Sequence, residues 1–535
     1  MLAPNAEPAV VDAPVAARAD CEAVASAFPC ATEAGLEVLR GGGNAMDAAV
    51  AAAWALCVCE PSASGLGGQT VILVHHGGRA TSIIDGQSRA PAAASPETIT
   101  RHEQQRGHRS CTIPTTPATL DWAQRRYGVL SRAQVMAPAI RIAEEGYAVT
   151  RLQHRQAGWV AEYLRDSPAD ALFLQDGLPP PVGSVFCQPK LGATLRRLAE
   201  CGIEDFYQGE IARQIAADME MSGGLLTAQD LASCDAPAEV EPLSIKYGGC
   251  RILSTPPPSG GLQLLVGFNV MAQLAEHGIR RPDSQWREAV ALVTSAVFRE
   301  RERRAGDKFA PEFGELLMSR EYARQVAAGI ATAHDREFSR GCGEEPGETT
   351  HLSVCDRHGL VVALTQSIQS VFGAKIAHPD LGFLYNNYLR TCPRTSHAHA
   401  LAPRCRPRSN IAPTLVLHNR GKGGRPLLAL GAAGSRRITS AILQVVCGVV
   451  DQGLDIEAAV MAPRVHGLVG RKVWIERPAA DDALLARLHA RGREPVIRPR
   501  HSYAMGAVHA LQFRPDGSVA GAADPRRDGT AGGLH

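Results

Sequence analysis

The residues with the clearest capacity for chemistry sit in one run, Gly347-Glu348-Thr349-Thr350-His351-Leu352-Ser353-Val354-Cys355-Asp356. A threonine hydroxyl is a poor nucleophile unless a base lies beside it, and the nearest base for Thr349 is its own α-amine. That amine exists only once the peptide bond from Glu348 is cut. An α-amino group titrates near about 7.7–8.0, so it can take the hydroxyl proton at neutral pH. Left uncut, Thr349 is an ordinary strand threonine, a position that β-branching favours in any case. The chemistry expected of the run is self-cleavage: the Thr349 hydroxyl attacks the Glu348 carbonyl, and water resolves the ester.

The stretch Thr349 to Val354 resembles the start of the small subunit of the γ-glutamyltransferases (glutathione hydrolases), a family of N-terminal-nucleophile hydrolases. The resemblance continues in order along nearly the whole chain. It includes Gly41-Gly42-Gly43-Asn44-Ala45-Met46-Asp47, Ser64-Gly65-Leu66-Gly67-Gly68, Pro256-Pro257-Pro258-Ser259-Gly260-Gly261, Phe372-Gly373, Leu384-Tyr385-Asn386-Asn387, Pro413-Thr414 and Gly434-Ser435-Arg436. Each piece is short; their number and order make the resemblance specific. It implies an α+β fold, a four-layer αββα sandwich, self-cut into a large piece (1–348) and a small piece (349–535) intertwined as a heterodimer. It also implies roles. Ser367 stands where the family has a threonine contacting the nucleophile. The backbone amides of Ala433 and Gly434 stand where the family, with glycine at both positions, holds the oxyanion. Thr350 and His351 match too, His351 as a positioning or packing residue rather than the base.

The chain departs from the family where a γ-glutamyl group would be held. The family's carboxylate-binding Arg-Glu pair falls on Gln87-Ser88, followed by Arg89. Its ammonium-binding segment reads Asn386-Asn387-Tyr388-Leu389-Arg390-Thr391, with Tyr388 in place of a glutamine or glutamate and Thr391 in place of an aspartate. Ser409-Asn410, preceded by Arg408, replaces a Ser-Ser pair, and Gln369 replaces an asparagine. Burying an unpaired ammonium costs several kcal/mol, so loss of the acid weakens glutamyl binding. Arg89, Arg390 and Arg408 remain, and arginine recognises carboxylates bidentately. The expected donor is a small molecule whose acyl group carries an extra carboxylate and no amine, a short oxo- or dicarboxylic unit, with water or an amine as acceptor. Two further readings share these residues. Some relatives, in antibiotic pathways for alkylproline units, use the same nucleophile to cut a carbon–carbon bond beside a carbonyl. The other is an uncut, non-catalytic binding scaffold, against which the intact Thr349, Ser367 and Gly434 argue.

Several elements must position these groups. Ala31 to Cys59 reads as helix broken at Gly41–Gly43, with Asn44 capping the second part. Val71 to His75 and Thr81 to Asp85 read as a hairpin, and His351 to Asp356 with Leu360 to Gln369 as another. Pro117 to Tyr127, Ala133 to Glu145, much of Gln153 to Met221, Gly261 to His277, Ser284 to Ala305 and Ile438 to Val450 read as helices. Short strands follow at Arg251 to Ser254, Leu415 to Leu417, Leu427 to Leu430 and Val508 to Phe513. Gly341 to Glu348 is polar, glycine-rich and aperiodic, as suits an exposed cleavable linker. Helices outside two packed sheets follow from this order.

Bulk properties narrow the class. Of 535 residues, 56 are Lys or Arg and 54 Asp or Glu, a net charge of +2 that favours neither nucleic acid nor a membrane surface. No apolar run is long enough to span a membrane. Met1 to Ala17 lacks the basic start and apolar core of a secretory signal, so the expected location is cytoplasmic. The 14 cysteines lack paired metal or disulfide spacing and read as buried, inert thiols. His75-His76 and His397 with His399 lack carboxylate partners, so no metal is expected. There is no Gly-x-Ser-x-Gly elbow, P-loop or dinucleotide fingerprint, and no cofactor is expected.

Overall fold

The computed structural model describes residues 15–77, 80–165, 167–280, 282–303, 311–332, 347–394, 399–419 and 424–535. Two seven-stranded sheets form its centre. One is ordered Thr530–Leu534, Glu22–Ser26, Gly347–Cys355, Leu360–Ser370, Gln69–His76, Thr81–Gly86 and Ala238–Val240. The other is ordered Ala16–Ala19, Val519–Ala523, Ala507–Phe513, Pro426–Ala433, Thr414–His418, Cys250–Ser254 and Leu243–Tyr247. All their pairings are antiparallel.

Between the sheets lies a thin layer of small and branched side chains: Ala23, Ala25, Val71, Leu73 and Val361 from one, Leu253, Leu415, Ala429 and Leu511 from the other. Helices cover both outer faces, giving the αββα sandwich. Pro29–Arg40, Ala45–Cys59 and Thr116–Tyr127 pack on the sheet of Gly347–Cys355, and Arg132–Glu145 packs outside them on Ala45–Cys59. Gly261–Glu276 and Arg437–Val450 pack on the other, with Ser284–Arg303 outside them against the strand Val465–Gly467. The helix Ala45–Cys59 is buried all round, which its alanines permit by letting neighbours approach closely. Asn44 caps it as expected, accepting from the Met46 and Asp47 amides while Asp47 returns a bond to the Asn44 amide.

Several strands carry no sequence signal. Glu22–Ser26, Val519–Ala523 and Thr530–Leu534 are rich in alanine and glycine, which are depleted in strands. Small residues serve here because the sheets sit close together. The exposed-linker expectation for Gly341–Glu348 is corrected in its last part: Gly347 and Glu348 begin a fully buried strand. The rest of that segment, like the N-terminal residues 1–14, His397 and Cys342, lies outside the described residues. Cys187 and Cys201 are exposed rather than buried. Among the described residues no helix is long and apolar enough to cross a membrane, and no group of metal-binding side chains is found.

Candidate active site

Thr349 sits where the ladder between Gly347–Cys355 and Leu360–Ser370 is irregular. Glu348 pairs with Gln369, but Thr350 pairs with Gln366, so Ser367 and Ile368 together oppose the single residue Thr349. This bulge turns Ser367 toward the chain across from it. Ser367 Oγ donates to the Glu348 carbonyl oxygen at 2.7 Å, and Thr349 Oγ1 donates to the same oxygen at 2.7 Å. The two hydroxyls are 3.3 Å apart. Gln369, beside the bulge, holds φ +84°, a strained value for a residue with a Cβ, and its amide donates to Ser367 Oγ at 2.9 Å.

Two close approaches fix what Thr349 faces across the sandwich. A Cβ on Gly431 would lie 2.4 Å from the His351 ring, and one on Gly347 would lie 2.6 Å from Ser435 Cβ. With 351 against 431 and 347 against 435, Thr349 lies on the stretch of strand that faces residues 431–435. The chain then turns at Gly434 (φ +117°) and Ser435 (φ +57°) into the helix Arg437–Val450. His351 is held by the hydroxyls of Thr365 (2.7 Å) and Ser353 (3.1 Å). Burial, reinforced by His509, holds its pKa well below the usual imidazole range, so it stays neutral and packs.

The Glu348 side chain is fully buried. It accepts from Arg527 Nη1, from Gln156 Nε2 at 3.2 Å and from the Thr349 amide at 3.2 Å. The Arg527 guanidinium lies 4.7 Å from the centroid of the Tyr503 ring. Glu60 and Asp528 are nearby acids. Burial pushes Glu60 up to about 8, with Arg527 the main opposing influence, and pushes Asp528 up to about 6. None of Arg527, Gln156, Tyr503 or Glu60 was anticipated from the sequence. A signal existed for one: Asp524-Pro525-Arg526-Arg527-Asp528 packs charge between two Ala/Gly-rich stretches, an expensive composition for a core.

The expected pocket residues divide. Tyr388 is buried beside Ser367, Ser409 and Gln69, and burial pushes its phenol up to about 12 despite those partners. Asn410 Nδ2 donates to Ser435 Oγ at 3.3 Å, and Ser409 adjoins it. Both are held by Arg301, another residue missed in the sequence, which donates to Asn410 Oδ1 (2.6 Å) and the Ser409 carbonyl (3.0 Å). Thr391 turns back to the Tyr388 carbonyl, and Arg408 Nε donates to the Thr391 carbonyl at 3.1 Å. Arg390 is half-buried. Ser88 belongs to a buried network with Gln69 and Thr112. Gln87 donates to Ser259. Gln87 and Arg89 line a separate cleft with Asp85, Asp235 and Arg406. Arg89 meets the exposed Asp235 there at 3.7 Å, so its acid comes from a distant segment rather than from the pocket positions.

An αββα sandwich with a threonine hydroxyl on a carbonyl at the start of a central strand defines the class, the N-terminal-nucleophile hydrolases. The sequence profile of the family described as gamma-glutamyltranspeptidase matches residues 31–534, and the chain belongs to that family. It is 31% identical to the glutathione hydrolase proenzyme of Escherichia coli (strain K12), across 95% of this chain and 91% of that one. It is 32% identical to the Acylase ACY 1 proenzyme of Pseudomonas sp. (strain SE83), across 96% and 94%. Its fold is similar to that of the cephalosporin acylase from Bacillus halodurans, with a TM-score of 0.87 and 28% identity over 100% of this chain and 99% of that one. The chain is thus an enzyme of the hydrolase and acyltransferase kind.

Proposed function

We propose that the chain cuts itself between Glu348 and Thr349 and that Thr349 then serves as the nucleophile of an amide hydrolase or acyltransferase. The observation that carries this reading is the convergence of the Thr349 and Ser367 hydroxyls on the Glu348 carbonyl oxygen, each at 2.7 Å. Ser367 polarises the carbonyl. Thr349 Oγ1, rotated from the oxygen toward the carbon, forms the ester as the C–N bond breaks and the nitrogen takes the hydroxyl proton. Water releases Glu348 as a carboxylate. The products are pieces 1–348 and 349–535, and the new Thr349 amine is the base for each later turnover. In this reading the amides of Ala433 and Gly434 receive the oxyanion.

In this reading the acyl group carries a carboxylate and lacks the amine of a γ-glutamyl donor. Tyr388 supports it: a buried phenol fills the segment the family uses for the ammonium, beside the hydroxyls of Ser367 and Ser409 and the amide of Gln69. The Pseudomonas and Bacillus halodurans proteins to which the chain is similar are named acylases.

Intact mass and N-terminal sequencing test the first step: wild type gives two pieces, one beginning at Thr349, and Thr349→Ala gives one. Ser367→Ala slows cutting by on the order of 100-fold, the cost of one oxyanion or carbonyl donor, while Ser367→Thr stays near wild type. Cleavage of γ-glutamyl anilides in preference to dicarboxylic monoanilides would sink the acyl assignment.

A further inference from the structure

Two cysteines border the candidate pocket, and the chemistry at Thr349 uses neither. Cys392 follows the turn Tyr388–Thr391, and Cys405 lies 13 positions further on, just ahead of Arg408 and Ser409. Their sulfurs are 3.7 Å apart, in van der Waals contact. A disulfide needs about 2.05 Å, a closure within reach of side-chain rotation and a slight backbone shift. We propose that Cys392 and Cys405 form a reversible thiol–disulfide site, whose oxidised state fastens the segment of Tyr388 to the segment of Ser409.

The two cysteines are held differently. Cys392 is buried, and its carbonyl and that of Leu389 both accept from Gln104 Nε2, at 2.7 and 2.6 Å. Cys405 is partly exposed, and its carbonyl accepts from the Ala90 amide at 2.9 Å. Cys392 joins Ala90, Ile99, Leu389 and Leu401 in a small apolar cluster, and Cys405 packs against it. Each cysteine also continues into the pocket. Tyr388 and Ser409 are neighbours there, and Arg408 Nε donates to the Thr391 carbonyl at 3.1 Å, from one segment to the other. A covalent bond between 392 and 405 restrains the same two segments through the chain itself.

The asymmetry assigns the order of reaction. The hydrogen bond from Cys392 lowers the pKa of Cys405, while that bond and burial raise the pKa of Cys392. Cys405, more exposed and more readily ionised, is the attacking sulfur. With a small-molecule disulfide as oxidant, the Cys405 thiolate bonds to one reagent sulfur as the reagent's S–S bond breaks, and the first thiol leaves with a proton. Cys392 then gives up its proton and attacks the Cys405 sulfur, expelling the second thiol. The protein loses two hydrogens and two electrons, and the reagent gains them.

The test uses the full-length protein treated with hydroxyethyl disulfide, then denatured, alkylated, digested and mapped by mass spectrometry. The expected product joins the peptides of Cys392 and Cys405, and dithiothreitol reverses it. The exposed Cys187 and Cys201 take up the reagent without cross-linking and serve as internal controls. Cys392→Ser should leave Cys405 trapped as the mixed disulfide; if that variant fails to fold, Cys405→Ser, which loses the cross-link, carries the comparison. Hydrogen exchange reads the fastening: amides of 389–392 and 405–411 should slow on the order of tenfold on oxidation of wild type, and not in Cys405→Ser. Modification of Cys187 and Cys201 with no bond between 392 and 405 overturns the proposal. So does a bond that forms and leaves exchange in both segments unchanged. Neither readout depends on self-cleavage or on the acyl donor.

Discussion

Two consecutive arginines, Arg526 and Arg527, are both fully buried, and they are treated in opposite ways. Arg526 has every donor engaged. Its Nε and Nη2 grip Glu476 at 2.8 and 2.6 Å, its Nη1 reaches Asp524 at 3.1 Å and the Val460 carbonyl at 2.9 Å, and Nη2 also reaches Ala462. Arg464 closes the cluster on Asp524 at 2.6 Å. Arg527, one residue on, engages a single side-chain oxygen and leaves two donors unpartnered among the described residues. A buried charge that is fully paired fixes structure; one left partly paired keeps donors in reserve. The first cluster anchors the turn between Val519–Ala523 and Thr530–Leu534, and so holds the second at a fixed place beside Thr349.

Removing the anchor should have the largest effect. Arg526→Met leaves Glu476 and Asp524 short of a cation in the core and is expected to cost about 4 kcal/mol or more, read by urea denaturation or as loss of folded protein. Arg527→Met, made in the Thr349→Ala chain so that Glu348 stays in place, should cost about 3 kcal/mol. Adding Glu348→Leu should recover most of that, since replacing both members of a buried pair is far less harmful than removing one. Costs equal to those of Arg526→Met, with no recovery, would erase the distinction between the two arginines. The third effect is smaller and depends on pH. Burial raises Glu60 in the folded protein to about 8 from an ordinary 4.5, so between those values the folded state binds the extra proton and stability falls as pH rises. Glu60→Gln should flatten that part of the curve and gain on the order of 2 kcal/mol at pH 8, measured by denaturation from pH 5 to 8. On the acid side, His466 and His509 are each held near about 3 by burial, so protons taken up by the unfolded chain should lower stability as pH falls from 6.5 toward 3.

The contrast also marks what the sequence could reveal. The Thr349–Val354 run and Gly434 were legible because their chemistry depends on adjacent residues: a nucleophile with its own amine, and a turn whose positive φ suits glycine. Asn44 was legible for the same reason, since a cap is local. Arg527 and Gln156 were not, because they lie 179 and 192 residues from Glu348 in the chain and meet it only through the sandwich. Glu348 itself misled: a glutamate in a glycine-rich stretch suggests solvent, yet its partner arginine allows it in the core. The alanine strands were silent because intrinsic propensity opposes them and close sheet packing overrides it.

The strand order carries one more consequence. Glu22–Ser26 lies between Thr530–Leu534 and Gly347–Cys355, and in the facing sheet Ala16–Ala19 at one edge and Cys250–Ser254 toward the other flank strands from beyond residue 349. Severing the backbone before Thr349 therefore divides the molecule without opening a seam. Neither length owns either of the two seven-stranded sheets, and ladder pairs join the two lengths within both. Parting the two lengths would require breaking the ladders of both seven-stranded sheets.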